Sequence, residues 1–319
     1  MNTFIKVIEI WTPATDKQGL SLADAFYGNS GQGGMREFRK VSEQYSFAYG
    51  EGLPGKAWSE VRPIIITDLE HSYFKRKEAA ARAGLSVGLA IPIFSGEFLI
   101  AVVVFLCGEG KGLAGSIESW GTETDKDTGK STELKLIEGY YGSLKKLESA
   151  SRELRFAKGT GLPGSVWDYH IPMIVANMAN SSLFKRASTA TVEGITSAIG
   201  LPLNYYTGKE YVVTFLSAYS TPIALQYEIW LPDREHHYLF LHSSEREVKD
   251  NLTPLDKNRR IRLSDGLIGK VWSSGTPAIS KNLADDGLLM KGAGQGLKAG
   301  FVMPVIEEGF LRAVVVFMF

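Results

Sequence analysis

Two short stretches carry a spacing that nucleotide chemistry uses: GEGLPG from Gly50 to Gly55 and GTGLPG from Gly159 to Gly164. Both fit G-x-G-x-x-G, in which glycines let a helix N-terminus approach a pyrophosphate. Asp68 follows the first near the distance at which an acidic residue takes a ribose hydroxyl. A dinucleotide fold, however, needs this loop to open a helix that crosses over to a parallel strand. Only seven residues part Gly55 from Pro63, room for about two helical turns before the proline stops them. A third copy, SDGLIG, places Ser264 where the first glycine stood. The glycines read instead as a tight strand-to-helix corner that needs positive backbone angles.

The other reactive side chains do not assemble into a site. The histidines are His71, His170, His236, His237 and His242, and their spacing yields neither a triad nor a metal-ligand set. The single cysteine, Cys107, ends the apolar run AVVVFLC and reads as a buried thiol, which excludes an internal disulfide or a cysteine-rich cluster. No nucleophile, base and orienting group fall together, so neither catalysis nor a metal or cofactor is expected. Trp58, Trp167 and Trp272, just past each glycine corner, suit core filling better than ligand stacking. Arg76 and Arg186 follow a shared phrase, FKR. Each could meet an anion at a helix start, although an ion-paired or solvated arginine is the plainer reading.

The elements that carry these residues recur. Trp11, Trp120 and Trp230 lie 109 and 110 residues apart, and Trp58, Trp167 and Trp272 lie 109 and 105 apart. IEIWTP, IESWGT and YEIWLP align around the early tryptophans, and GLPGKAW, GLPGSVW and GLIGKVW around the late ones. Each late tryptophan is followed by a proline and a short apolar strand, then by an apolar strand containing proline and a hairpin turning at Gly96, Gly208 or Gly309. Three units are expected, spanning 1–112, 113–222 and 223–319. Within each the order reads strand, strand, short helix, strand, glycine corner, strand, helix, strand, strand. Hairpin-joined strands are antiparallel, so the class is α+β, an antiparallel sheet with helices on one face.

Lys plus Arg and Asp plus Glu are 35 each, a formal charge of zero. The one tight basic run, Arg259-Arg260-Ile261-Arg262, is too short for a nucleic-acid surface. No apolar stretch reaches the roughly eighteen residues of a membrane span, and MNTFIKVIEIW lacks signal-peptide character. The expectation is a cytoplasmic protein with no nucleic-acid or membrane partner.

The ordered combination resembles the GAF domain: G-x-GL-x-G-x-V/A-W, a proline five residues past the tryptophan, an apolar strand ending in Asp or Asn, F-x-R, an alanine-rich helix and an L-x-I/L-P strand. The likeness covers all three units. It implies a fold shared with PAS domains, in which a small-ligand pocket lies between one sheet face and its covering helix and loops. It also implies a sensory or regulatory module without chemistry of its own. Mapped by that resemblance, the pocket of unit one takes Trp58, Asp68, Phe74 and Arg76 over Leu89, Ile91 and Val103. Unit two takes Trp167, Asn177, Phe184 and Arg186 with Leu201, and unit three Trp272, Asn282 and Lys291. The flanking helices usual in the family are missing from the pattern, so the backs of the sheets must be covered by neighbouring units or by another chain. A small-molecule sensor that acts through a protein partner or homo-oligomer is expected, with no more than two of the three pockets occupied by ligand. The alternative is a structural or adaptor scaffold whose pockets are filled by its own side chains.

Overall fold

The computed structural model describes residues 3–15, 19–28, 33–108, 114–124, 131–178, 181–247, 258–289 and 296–319. They build three six-stranded antiparallel sheets, each drawn from a consecutive stretch of chain. The first contains β1 (Ile5–Pro13), β2 (Leu20–Tyr27), β3 (Ser46–Phe47), β4 (Ile64–Ile66), β5 (Leu85–Ser95) and β6 (Phe98–Gly108), laid side by side as β3-β2-β1-β6-β5-β4. Helices α1 (Gly33–Glu43), α2 (Gly52–Glu60) and α3 (Lys77–Arg82) cover its front.

The second sheet repeats the plan with β7 (Gly115–Thr124), β8 (Ser131–Tyr140), β9 (Arg155–Ala157), β10 (Met173–Ala176), β11 (Ile195–Asn204) and β12 (Glu210–Ala218). Its helices are α4 (Lys145–Glu153), α5 (Gly161–Tyr169) and α6 (Ala187–Val192). The third contains β13 (Gln226–Pro232), β14 (Leu239–Arg246), β15 (Arg260–Ile261), β16 (Ala278–Ser280), β17 (Gly300–Glu307) and β18 (Phe310–Met318), with α7 (Gly266–Ser274). The chain is thus α+β, three tandem copies of one sheet-based plan.

The glycine corners place α2, α5 and α7, nine residues each, and each helix begins at the second corner position, Gly52, Gly161 or Gly266. The first two corner positions hold positive φ: 78° and 58° at Gly50 and Gly52, 71° and 63° at Gly159 and Gly161. In unit three Ser264 adopts φ 65° in the glycine's place. The third glycine is needed for closeness. A Cβ on Gly55 would stand 2.1 Å from the Ala48 carbonyl oxygen, and one on Gly164 2.2 Å from that of Ala157. These corners set backbone against backbone, and that use accounts for the motif without a phosphate.

The central strands are apolar on both faces, so alternate side chains feed two different cores. Backs of all three sheets meet in one shared core. Phe105, Phe215 and Phe317 sit at equivalent rungs, opposite Leu89, Ile199 and Phe301. Their ring centroids are 5.4 Å (Phe105 to Phe215), 5.9 Å (Phe215 to Phe317) and 6.3 Å (Phe105 to Phe317) apart, which marks a pseudo-threefold axis.

Around that axis β4 packs on β8, β10 on β14 and β16 on β2, so the fourth strand of each unit meets the second strand of the next and the ring closes. The three joints differ in their polar contacts. Glu138 on β8 binds Arg62 at 2.9 Å and accepts from the Ile65 N–H at 2.6 Å. The equivalent Asp24 binds Lys281 at 2.8 Å. At the third joint the position is Ser243, whose buried hydroxyl makes no hydrogen bond among the described residues. There Asn204 Nδ2 donates instead to Glu307 at 2.6 Å, and His170 Nδ1 lies 2.5 Å from the same oxygen. Neighbouring units of the same chain therefore cover the sheet backs.

Candidate functional site

Between each sheet front and its helices lies the chamber in which the resemblance places a ligand. The first strand of each unit sends a carboxylate and a tryptophan into it two residues apart: Glu9 and Trp11, Glu118 and Trp120, Glu228 and Trp230. All three tryptophans donate Nε1–H to that carboxylate, at 3.0, 3.1 and 2.9 Å. A buried carboxylate needs further donors or a counter-charge.

In unit one the counter-charge is Arg76, placed just before α3. Its Nη1 and Nη2 donate to Glu9 Oε1 and Oε2 at 2.6 and 2.8 Å, and neither side chain is exposed. Nη1 also reaches Ser42 Oγ on α1 at 2.5 Å, and the Tyr27 hydroxyl donates to Glu9 at 3.3 Å. The guanidinium lies 4.8 to 5.6 Å from the ring centres of Trp11, Phe38, Phe47 and Phe74. Unit two repeats this. Arg186 Nη2 donates to Glu118 at 3.0 Å, and its Nη1 bonds both Glu118 and Ser151 on α4. Thr214 adds a bond at 2.9 Å. Burial pushes the Glu118 carboxyl up, but the Arg186 charge and hydrogen bonds from Arg186, Thr214 and Ser151 outweigh it and hold the group below its ordinary range.

Unit three differs. Gln226 Nε2 donates to Glu228 at 2.6 Å, and Arg246 Nε donates in turn to Gln226 at 2.8 Å. Among the described residues no arginine side chain bonds Glu228. Arg259 lies over the Trp230 ring at 5.5 Å and spends its own donors on the Gly287 and Leu288 carbonyls. Burial therefore wins and raises the Glu228 carboxyl, against the pull of Trp230, Gln226 and the more distant arginines.

The expected residues divide as follows. Phe74, Arg76, Phe184 and Arg186 are inside their chambers, but the arginines fill the space and pair with carboxylates rather than line an open site. Leu89, Ile91, Val103 and Leu201 are corrected: they point into the shared core, and the floor of chamber one is Ala90, Val102, Val104 and Leu106. Those strands are apolar on both sides, so their faces are told apart only by parity.

Trp167 and Trp272 are core residues, and Trp167 Nε1 donates to Glu210 at 2.9 Å. Half-buried Trp58 bridges the chamber and the shared core, edge-on to Tyr49 at 5.0 Å. Asp68 is outside the chamber, bound to His71 at 2.9 Å. Asn177 and Asn282 are exposed, and Lys291 lies outside the described residues. Glu9, Glu118 and Glu228 escaped the sequence reading, although a lone acid two residues before each early tryptophan was their signal.

Asp68 lines a surface cleft of about 450 Å³ on unit one, with Thr67, Glu70, His71, Lys77 and Ser86 around it. Among the described residues no group of three or more His, Cys, Asp or Glu side chains is placed to hold a metal ion, and no helix is long and apolar enough to cross a membrane.

Residues 10–123 match the model of the GAF domain family. No curated protein matches the chain. Among solved structures it is similar to the free methionine-R-sulfoxide reductase of Neisseria meningitidis bound to its substrate, with 16% identity, 32% of this chain and 52% of that one covered, and a TM-score of 0.25. It is similar also to the GAF domain of a phosphoenolpyruvate-protein phosphotransferase from Coxiella burnetii (20% identity, 33% and 58% covered, TM-score 0.27) and to that from Acinetobacter (15%, 33% and 56%, 0.24). The matched stretches span little more than half the length of those chains. GAF domains are in general sensory and regulatory modules, mostly without catalysis. Residues 10–123 belong to the GAF domain family, and the chain lays three sheets of one six-stranded α+β plan in tandem.

Proposed function

We propose that this chain is a non-catalytic, cytoplasmic regulatory protein that works through protein contacts, with the chambers of units one and two closed by their own side chains. The observation that carries this is the occupancy of both chambers by an Arg–Glu–Trp set with the arginine no more than 4% exposed. A ligand entering there would have to displace a guanidinium from its carboxylate and leave a buried charge unpaired, a loss of about 3–5 kcal/mol. Cys107 supports the absence of catalysis, because burial pushes its thiol up and away from the reactive thiolate.

Native and denaturing mass spectra of the purified chain, taken side by side, test the proposal. The same mass per chain in both spectra, with no melting shift across a metabolite panel, is expected. A small mass lost only on denaturation would overturn it.

One observation favours a second reading, a small-molecule site on the outside of unit one. The cleft at Asp68 has a volume within the roughly 300–1,000 Å³ of ligand pockets. With Asp68 and Glu70 set against Lys77, it suits a small zwitterion. Amino acids that raise the melting temperature of the native chain, but not of the Asp68→Asn variant, would favour this reading.

A further inference from the structure

The three closing hairpins, β5–β6, β11–β12 and β17–β18, end together at one end of the pseudo-threefold axis. Pro92, Pro202 and Pro304 with their neighbours line one small axial cavity there. Tyr205 from unit two donates its hydroxyl to the Pro92 carbonyl of unit one at 3.2 Å. Phe94 lies edge-on to Tyr205 and Tyr206, at 5.9 and 5.5 Å. Asn204 donates to Glu307 of unit three. Each hairpin tip then turns one large ring outward: Phe98 is 80% exposed, Tyr206 48% and Phe310 69%.

A single exposed ring at a turn is ordinary, but three around one axis form an apolar face of the kind that marks association. Its charges are few and of both signs. Lys209 on the unit-two tip and Glu97 on the unit-one tip are exposed, and neither takes part in an ion pair among the described residues. Glu97 has no cation on its own hairpin, whereas the exposed Glu308 on the unit-three tip shares its hairpin with Arg312.

We propose that this face binds a second copy of the chain, head to head, across a twofold axis that crosses the pseudo-threefold axis beside unit three. That operator sets unit one of one protomer against unit two of the other, twice, so Lys209 faces the partner's Glu97 on both sides, and it sets Phe310 against its own copy. The interface is isologous and closes at two chains. Opposite charges ringing an apolar centre supply the register. The inference does not depend on the regulatory role proposed above.

Light scattering and sedimentation of the full chain over a range of concentrations test it. The expected species is twice the chain mass of 35.0 kDa. Phe98→Asp with Phe310→Asp changes exposed positions, and is expected to give a folded monomer whose melting temperature, unlike that of the parent chain, no longer rises with protein concentration. Lys209→Glu alone and Glu97→Lys alone set like charges face to face and should weaken the dimer roughly tenfold or more. The two together should restore it. A monomer at every concentration, a trimer, a dimer indifferent to the aspartates, or rescue of Lys209→Glu by Glu308→Lys in place of Glu97→Lys would each overturn the proposal.

Discussion

Glu118 and Glu228 occupy equivalent positions on β7 and β13, both buried, and both accept a bond from the tryptophan two residues on. Around Glu118 an arginine, a serine and a threonine converge, and the carboxyl is held low. Around Glu228 a glutamine takes the near position and the carboxyl is raised. The same fold thus treats one inherited carboxylate as half of a salt bridge in one unit and, in another, as an acceptor that burial makes harder to ionise. Burial alone always favours the neutral acid, so the neighbour decides.

Removing the charge breaks that comparison most directly. Glu118→Gln leaves the Arg186 guanidinium buried without a counter-ion and is expected to cost about 3–5 kcal/mol in urea unfolding. Glu118→Leu with Arg186→Met should recover part of it, since matched apolar replacement of a buried pair is often neutral but the Trp120 Nε1–H then loses its acceptor. Glu228→Gln should cost less, about 1–3 kcal/mol, for the one buried donor that loses its acceptor. Equal losses for the two glutamine variants would mean that Glu228 also faces a full counter-charge.

The pH dependence carries opposite signs. The Glu118 contribution is complete above its ordinary 4.5 and is lost as pH falls through its lower folded value. The Glu228 contribution is complete below 4.5 and is lost as pH rises through its higher folded value. Amide protection measured peptide by peptide should therefore fall in β7 on acidification below 4.5. In β13 it should fall on raising the pH above it. Parallel behaviour in the two strands would remove the distinction.

A smaller contrast sits in the glycine corners. Ser264 holds the left-handed backbone that Gly50 and Gly159 hold in the other units. Ser264→Gly should stabilise the chain by about 0.5–1 kcal/mol in thermal melts, because the strain on the side chain outweighs the entropy glycine adds. Least perturbing of all is thiol labelling at Cys107. It should proceed only as fast as the shared core opens, and should slow in any variant that raises stability.

The repeat, the strand order and the corners were legible because tryptophan, glycine and proline keep their spacing even where other residues change. The chamber was less so. In GLAIPIF and FLIAVVVFL neither face is polar, so Ala90 and Ile91 carried no mark of which core each would join. Arg76 and Arg186 stand out through the shared FKR phrase, but their partners sit 67 and 68 residues earlier, too far in sequence for any local spacing to join them. Periodicity within β1 does put Glu9 on the face of Trp11 and away from Ile8 and Ile10. An acid in that place demands a cation, and that demand was the missing step.

The closed ring has a consequence for how its parts can differ. Three separate subunits of one sequence would receive every substitution three times, so a residue lost from one contact would be lost from all. Here each change is made once. Three joints can be sealed in three ways, by Glu138, by Asp24 and, where Ser243 stands, by Asn204 with Glu307, and a chamber can give up its arginine while its two siblings keep theirs. Tethering also holds the units at an effective concentration on the order of millimolar, so a joint too weak to form between free domains still closes within the chain.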